Sequence, residues 1–287
     1  MIILSHFNTN RVLAVIPARN EENAICRTIN GLLSQTNPPE LIIIVDDGSK
    51  DKTVKKIREM KYKQVVVLER KDRIGGPSLL GTPLMAQTFN VGFKYIKDKK
   101  ISYDYIMISG ADSLYKSNYI ESLISEFNKD EQLVVASGKH VNEQLNPDHV
   151  MGSGRIISKK FWEYYGGEYP FPSYLWESGI IYTAQMHGLK VKSFSSIKSI
   201  TLRQGGTNID MFLYGYILRA IKYPFLITIG RAFKIGLKNN FRQTIRFLAG
   251  YFVKPKQRFQ KDQEISQYLA ESFLQRKIKS IINKILS

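Results

Sequence analysis

Leu41–Asp51 reads LIIIVDDGSKD: five apolar, mostly β-branched residues run straight into two aspartates, a glycine, a serine, a lysine and a third acid. An unbroken apolar run of this length, bounded by turn residues, is a strand buried on both faces. Acids at its carboxyl end stand where open parallel sheets gather their ligands. An Asp-Gly turn can follow any buried strand, so the neighbouring segments decide what it means.

Upstream, Val12–Ile16 (VLAVI) is another buried strand, closed by Pro17. Asn20 is expected to cap the helix that follows, with Glu21 and Glu22 in its first turn. Ile25, Ile29, Leu32 and Leu33 recur at helical spacing until Asn37-Pro38-Pro39 stops them. Strand, helix, strand is the βαβ unit of a parallel sheet. No Gly-x-Gly-x-x-Gly joins the first strand to the helix, which disfavours a dinucleotide site. Downstream the alternation continues to about residue 138. A helix is expected over 52–60, a strand over Gln64–Leu68, a charged, glycine-rich loop over Glu69–Pro83, and a helix through Leu84, Phe89, Phe93 and Ile96. Strand Tyr103–Ser109, helix Asn118–Phe127 and strand Gln132–Ser137 follow. Glycines and prolines then mark long loops. Tyr174–His187 is expected to be a helix ended by Gly188, and Lys190–Phe194 a strand.

The combination of a strand ending Pro-x-x-Asn-Glu, a helix ending Leu-x-Ser-Gln-Thr and a strand ending Val-Asp-Asp-Gly-Ser-x-Asp resembles the opening of family 2 glycosyltransferases. The likeness extends to about residue 195 and implies the GT-A fold, an α/β architecture with a Rossmann-like mixed sheet. It implies transfer of a sugar from a nucleoside diphosphate sugar (UDP- or GDP-linked) to an acceptor hydroxyl, with inversion. By the same resemblance, Asp47 binds the nucleotide base with Asp46 beside it, and Pro17, Arg19 and Glu21 wrap the same nucleotide. A carboxylate is acceptor-only, which suits the N–H of an imide. The family's Asp-x-Asp falls on Gly110-Ala111-Asp112, so the first acid is absent. Asp112 is left as the ligand of a divalent cation, Mg2+ or Mn2+, with the ribose contact in doubt. The family's catalytic base lies about eleven residues before a glycine that precedes an edge strand. Counting back from Gly188 gives Glu177, where the family usually has Asp. The rival reading of Glu177 is a solvated helix face. Trp176 is either a sugar-stacking wall or a core residue. Arg70, Lys71 and Arg73 lie in the loop that covers the diphosphate in the family, and Arg203 would close over it from the far side. His140, His149 and His187 have no metal-ligand spacing, and a surface position is expected for His140.

The chain of 287 residues is 43% hydrophobic and 23% charged, an ordinary globular balance. Its charge is uneven: residues 201–287 hold 16 Lys/Arg against 4 Asp/Glu, out of a net +17. The expected organisation is a catalytic domain over 1–200 and a basic helical appendage over 201–287. Residues 207–253 read as three aromatic-rich helices broken near Pro224 and Lys238-Asn239-Asn240. Arg231, Lys234 and Lys238 fall on one helical face, as do Arg242 and Arg246, opposite Phe225, Ile229, Phe233 and Phe247. Such helices suit an anionic membrane surface, and the resemblance adds a glycan or polyprenyl-linked acceptor. A helical subdomain packed on the catalytic domain and a homodimer interface remain open. Nucleic acid is not expected as a partner, because no recognition motif accompanies the charge. One cysteine, Cys26, and an opening apolar run too short for a signal peptide lead to the expectation of a cytoplasmic protein, peripheral on the inner face of the membrane. The rival function is a non-catalytic nucleotide- or glycan-binding module at the membrane.

Overall fold

The computed structural model describes residues 10–79, 82–141, 150–202, 210–238 and 240–286. Strand β1 (Val12–Ala18) runs parallel to β2 (Leu41–Asp46) on one side and to β4 (Tyr105–Ile108) on the other, and β3 (Val65–Glu69) pairs in parallel outside β2. With β5 (Ser113–Tyr115), β6 (Leu133–His140), β7 (Arg155–Ser158) and β8 (Lys190–Thr201), these strands form one mixed sheet in the order β3-β2-β1-β4-β7-β6-β8-β5. Strands β5 and β7 enter antiparallel to their neighbours. Neither was expected: three and four residues are too few to carry a periodic signal of their own. The strand order reverses between β1 and β4, so the crevice at their carboxyl ends is the switch point where open α/β sheets bind ligands.

Alternating residues of β1 explain the layering. Val12, Ala14 and Ile16 join a core with Ile25, Ile29 and Leu32 of α1 (Ile25–Leu33) and with Leu123, Ile124 and Phe127 of α4 (Tyr119–Lys129). Burying each large aliphatic side chain of that core contributes about 1.5–3 kcal/mol. The other face is covered by α3 (Met85–Asp98), whose Gly92 lies against Val15, Ile43 and Val45. Phe93 of α3 packs on Trp162 of α5 (Lys159–Tyr165) with ring centroids 4.7 Å apart. Asn20 does not cap α1. Ala24 occupies that position, and Asn20, at a φ of 54°, accepts from Lys50 N at 2.9 Å. Its amide is used to join two loops rather than to end a helix. His140 is buried rather than at the surface.

The chain divides into two compact units, one of Met1–Phe171 with Thr183–Gly205, the other of Pro172–Tyr182 with Gly206–Ser287. In the second unit, α7 (Met211–Ala220), α8 (Phe225–Lys238), α9 (Phe241–Phe252) and α10 (Gln260–Leu286) pack around Leu218, Tyr223, Phe247 and Tyr251. The long α10 had no counterpart in the sequence reading. Helices α7 and α9 cross closely: a methyl group on Gly215 or Gly250 would fall 1.9 Å from a backbone oxygen of the other helix. No helix among the described residues is long and apolar enough to cross a membrane.

Candidate active site

The Asp46–Asp51 turn is built by its own short polar residues. Asp46 Oδ2 accepts from Gly48 N and Ser49 N, both at 3.1 Å, closing the turn on itself. Gly48 has a φ of +79°, and a Cβ there would lie 2.5 Å from the backbone of Arg73. Only glycine satisfies both conditions. Ser49, Asp51 and Thr53 then tie this turn to the segment after β1. Ser49 Oγ accepts from Asn20 N at 2.9 Å, Asp51 Oδ2 from Glu22 N at 3.1 Å, and Thr53 Oγ1 from Glu21 N at 2.7 Å. Burial pushes the Asp51 carboxyl up, but its bonds from Thr53 and Glu22 hold it below its ordinary 3.8.

Asp47 is the centre of this corner. It is buried, and its backbone N–H donates to Ala18 O at the end of β1. Its Oδ1 accepts from Arg70 Nη1 at 3.2 Å, Arg73 Nε at 3.2 Å and Thr88 Oγ1 at 3.1 Å. Its Oδ2 accepts from Arg73 Nη2 at 3.3 Å and Arg19 Nη1 at 3.5 Å. Three guanidiniums thus converge on one carboxylate, and Arg70 also pairs with Asp72 at 3.0 Å. Arg19 also donates to Asp47 O and Gly76 O. Pro17 sits in β1 opposite Val45, and Glu21 is buried beside the Asp46–Asp51 turn, so the segments named from the sequence around the nucleotide do come together. Arg70 and Arg73, in the loop expected to cover a diphosphate, meet Asp47, while Lys71 is exposed. Thr88 was missed. It lies on the buried side of α3, one residue before Phe89, and nothing in the apolar spacing marks it.

The second strand-end turn, Ser109–Asp112 after β4, is wired by hydroxyl groups. Ser153 Oγ accepts from Gly110 N at 2.8 Å and lies 2.7 Å from Ser113 Oγ and 3.0 Å from Tyr115 OH. Ser109 Oγ is 2.8 Å from the same Tyr115 OH. Burial pushes the Tyr115 hydroxyl up, so it stays neutral. A Cβ at Gly110 would come within 2.9 Å of Ser113 Oγ and 3.3 Å of Ser153 Oγ, so the hydroxyl cluster occupies the space beside the missing acid. Thr28 Oγ1 holds Ala111 O at 2.8 Å, and Leu202 N holds Asp112 O at 2.8 Å. Asp112 itself is half-buried. No group of three His, Cys, Asp or Glu that could hold a metal occurs among the described residues. A small hard cation bound through one carboxylate and substrate phosphates needs no such cage, and Asp112 fits that lesser demand.

Glu177 and Trp176 belong to the second unit. The helix read from Tyr174 starts only at Gly179 as α6 (Gly179–Met186), so Glu177 lies in the turn before it rather than on a helical face. Glu177 is exposed and Trp176 half-buried. Asp262 of α10 fixes this turn: its Oδ2 accepts from Tyr174 N at 2.8 Å, and its Oδ1 from Ser173 Oγ. Burial raises the Asp262 carboxyl above its ordinary value, against the pull of those bonds. Arg203 and His149 lie outside the described residues.

A cavity of about 1100 Å3 opens between α3 and α5, with Arg70 and Asp72 among its lining residues and Lys100, Tyr103 and Lys159 further along. It shares only Arg70 with the Asp47 cluster and contains neither Asp46 nor Asp112.

Residues 13–197 match the family model of Glycosyl transferase family 2. The poly(ribitol-phosphate) beta-glucosyltransferase of Bacillus spizizenii is 33% identical over 164 residues, which cover 51% of this chain and 23% of that protein. The match therefore spans about a quarter of that relative. Among solved structures, S. aureus TarS 1-349 in complex with UDP-GlcNAc superposes with a TM-score of 0.58 at 14% identity, over 84% of this chain and 79% of that one. The mannosyltransferase PcManGT from Pyrobaculum calidifontis, in complex with GDP-Man and Mn2+, gives a TM-score of 0.56 at 13% identity, over 95% and 80%. The fold is that of the GT-A glycosyltransferases, with helices following the sheet.

Proposed function

This chain belongs to glycosyl transferase family 2, and we propose that it transfers a sugar from a UDP- or GDP-linked donor to an acceptor hydroxyl with inversion. The observation that carries this reading is the placement of the Asp46-Asp47 turn and the Gly110–Asp112 turn at the carboxyl ends of β2 and β4, the parallel strands on either side of β1, beside the switch point. The complexes of the two structural neighbours with UDP-GlcNAc and GDP-Man are of the same donor class.

In this scheme Asp47 receives the base N–H. A carboxylate offers about four lone-pair sites, and Asp47 already serves five donors. One must give way, and Arg19 Nη1, at 3.5 Å the longest, is that one. Its guanidinium also holds Asp47 O and Gly76 O, so to meet a phosphate oxygen, a pairing that its planar fork favours, it must exchange one of those bonds as well. Arg73 lies close enough to share that task. Asp112 would hold the divalent cation, Mg2+ or Mn2+. When bound, the cation neutralises charge on the departing diphosphate. Glu177 accepts the proton of the acceptor hydroxyl as its oxygen bonds to the anomeric carbon. The bond from that carbon to the diphosphate breaks on the opposite side, so the configuration inverts and a nucleoside diphosphate leaves. Trp176 lies next to the proposed base and offers a ring face to the acceptor sugar, and Arg203 is kept as a diphosphate contact.

The acceptor is a glycan or polyprenyl-linked saccharide presented at an anionic membrane surface, on the cytoplasmic side. The basic helical unit supports that placement, and a homodimer through the same unit is compatible with it. The second reading, a binding module without turnover, is favoured by Gly110 in place of the first acid. Nucleotide release from a panel of UDP- and GDP-sugars, with and without Mn2+ and with acceptor-bearing vesicles present, separates the two. Metal-dependent release from one donor, reduced about 10²- to 10⁴-fold by Glu177→Gln, is expected. Release by Glu177→Gln at the wild-type rate would remove Glu177 as the base. Nucleotide binding by calorimetry with no turnover on any donor would leave only the module.

A further inference from the structure

Helix α8 divides its basic residues: Lys234 is exposed, whereas Arg231 is only partly so. Arg231, read from the sequence as part of a solvated basic face, is tucked inward. It donates to Tyr214 OH and, at 3.1 Å, to Tyr223 OH, and its guanidinium lies 4.8 Å over the Tyr223 ring. The side chains turned outward are apolar: Leu226 is 83% exposed, Phe233 70% and Leu237 75%, with Ile229 between them at helical spacing. Helix α9 repeats this. Phe247 is fully buried, whereas Phe241 is 75% and Phe252 68% exposed. The two helices are neighbours, with Thr244 Oγ1 3.4 Å from Ala232 O, and their stripes meet where Phe225 and Phe252 come within 6.4 Å. Single exposed apolar residues need no explanation, but a continuous ridge of large ones does.

The charge around the ridge selects its partner. Residues 211–261 contain 11 Lys/Arg and no acid. Lys222, Lys234, Arg242, Lys254 and Lys256 are exposed beside the apolar stripes. Arg246 is also exposed but answers Asp210 at 3.1 Å. A second copy meeting this face through a twofold would set like charges against like. An anionic bilayer offers apolar depth and a negative surface together.

We propose that the α8–α9 face is a docking surface for an anionic phospholipid bilayer. Leu226, Ile229, Phe233 and Leu237 of α8, with Phe241 and Phe252 of α9, enter the boundary between headgroups and acyl chains. The lysines and Arg242 remain at headgroup level. This deepens the membrane placement in the proposed function and rests on it, but it does not require sugar transfer to occur.

The test is co-sedimentation of the full chain with vesicles of phosphatidylcholine alone or mixed with phosphatidylglycerol. It is paired with fluorescence of Phe233→Trp against the two native tryptophans. Binding only to the mixed vesicles, weakened by salt, with a blue shift of the new indole, is expected. Phe233→Ser combined with Leu237→Ser should reduce partitioning at least ~tenfold while melting and nucleotide calorimetry stay at wild-type values. Lys234→Glu with Arg242→Glu should remove the preference for anionic lipid. Equal pelleting of wild type and the serine variant, or no blue shift, overturns the ridge while leaving membrane association by another surface. Failure of the wild type to bind any vesicle, with a dimer in sedimentation velocity that the serine variant dissociates, overturns the proposal in favour of a second copy. Vesicle binding as expected without nucleotide release would sink the transferase reading and keep the docking face.

Discussion

The turns after β2 and β4 stand at the ends of parallel strands and bear the two candidate acids, yet they are held by different chemistry. At Asp47 a buried carboxylate gathers three arginines and a threonine, so nearly every contact is charge-assisted. At Asp112 the scaffold is neutral: Ser109, Ser113, Ser153 and Tyr115 share hydroxyl bonds around a glycine. Charge-assisted bonds are roughly twice as strong as neutral ones and fix geometry tightly. The first corner therefore has its acceptor capacity filled before any ligand arrives. The second leaves its acid without a carboxylate neighbour at the position two residues earlier. The first strand end is thus held by charge and the second by neutral hydroxyl bonds.

The largest effect is expected at the neutral turn. Asp112→Ala should reduce nucleotide release by about 10²- to 10³-fold, far beyond any change in melting, if this side chain acts in the reaction. A rate close to wild type would mean that the two turns do not share the chemistry. Asp47→Asn should act the other way round, on stability first. Hydrogen bonds to charged groups contribute about 1.5–3 kcal/mol, and this change weakens several at once, so a loss of about 2–3 kcal/mol in urea unfolding is expected. Unchanged unfolding would show that the arginines find other acceptors at no cost.

The β1–α1–β2 unit and its charged turn were legible because periodicity and turn chemistry are local. Five β-branched or apolar residues followed by Asp-Asp-Gly-Ser need no distant partner to be read. The rest depended on residues far apart in the chain. Ser153 reaches Gly110 across 43 positions, and Thr88 reaches Asp47 across 41. Strands β5 and β7 are too short to show a period. The contacts of Arg70 and Arg73 with Asp47 were not legible, because a basic residue in a loop shows its charge and not its direction. On α8 the helical period was legible, but not that Arg231 would leave its exposed neighbour Lys234 and turn to Tyr214 and Tyr223, since spacing cannot say which residues a face will meet.

Smaller effects test the two glycines. Gly48→Ala should cost about 1–3 kcal/mol from backbone strain, because its φ is +79° and the Arg73 backbone lies in the way. Gly110→Ala meets side-chain ends instead, the hydroxyls of Ser113 and Ser153 and the Asp112 carboxylate, and about 1 kcal/mol is expected from mild overpacking. If Gly110→Ala proved the more damaging, the neutral turn would be the more rigid of the two.

The smallest effect is a pH dependence confined to the charged turn. Asp51 is held below its ordinary 3.8 by Thr53 and Glu22 against its own desolvation. A folded-state value lower than the unfolded one means that the unfolded chain binds the proton more readily. Asp51 therefore adds stability that is complete above its unfolded value. That stability is lost as pH falls from about 3.8 through the folded value. Asp51→Asn should flatten this limb of a stability profile measured by urea unfolding between neutral and acid pH, and should leave the alkaline limb alone. The neutral turn supplies the control. Ser153→Ala lowers stability by a similar small amount at every pH, because its hydroxyl does not titrate. If both variants changed the acid limb alike, the division between a charged and a neutral strand end would fail, and the acid sensitivity would belong to carboxylates elsewhere in the chain.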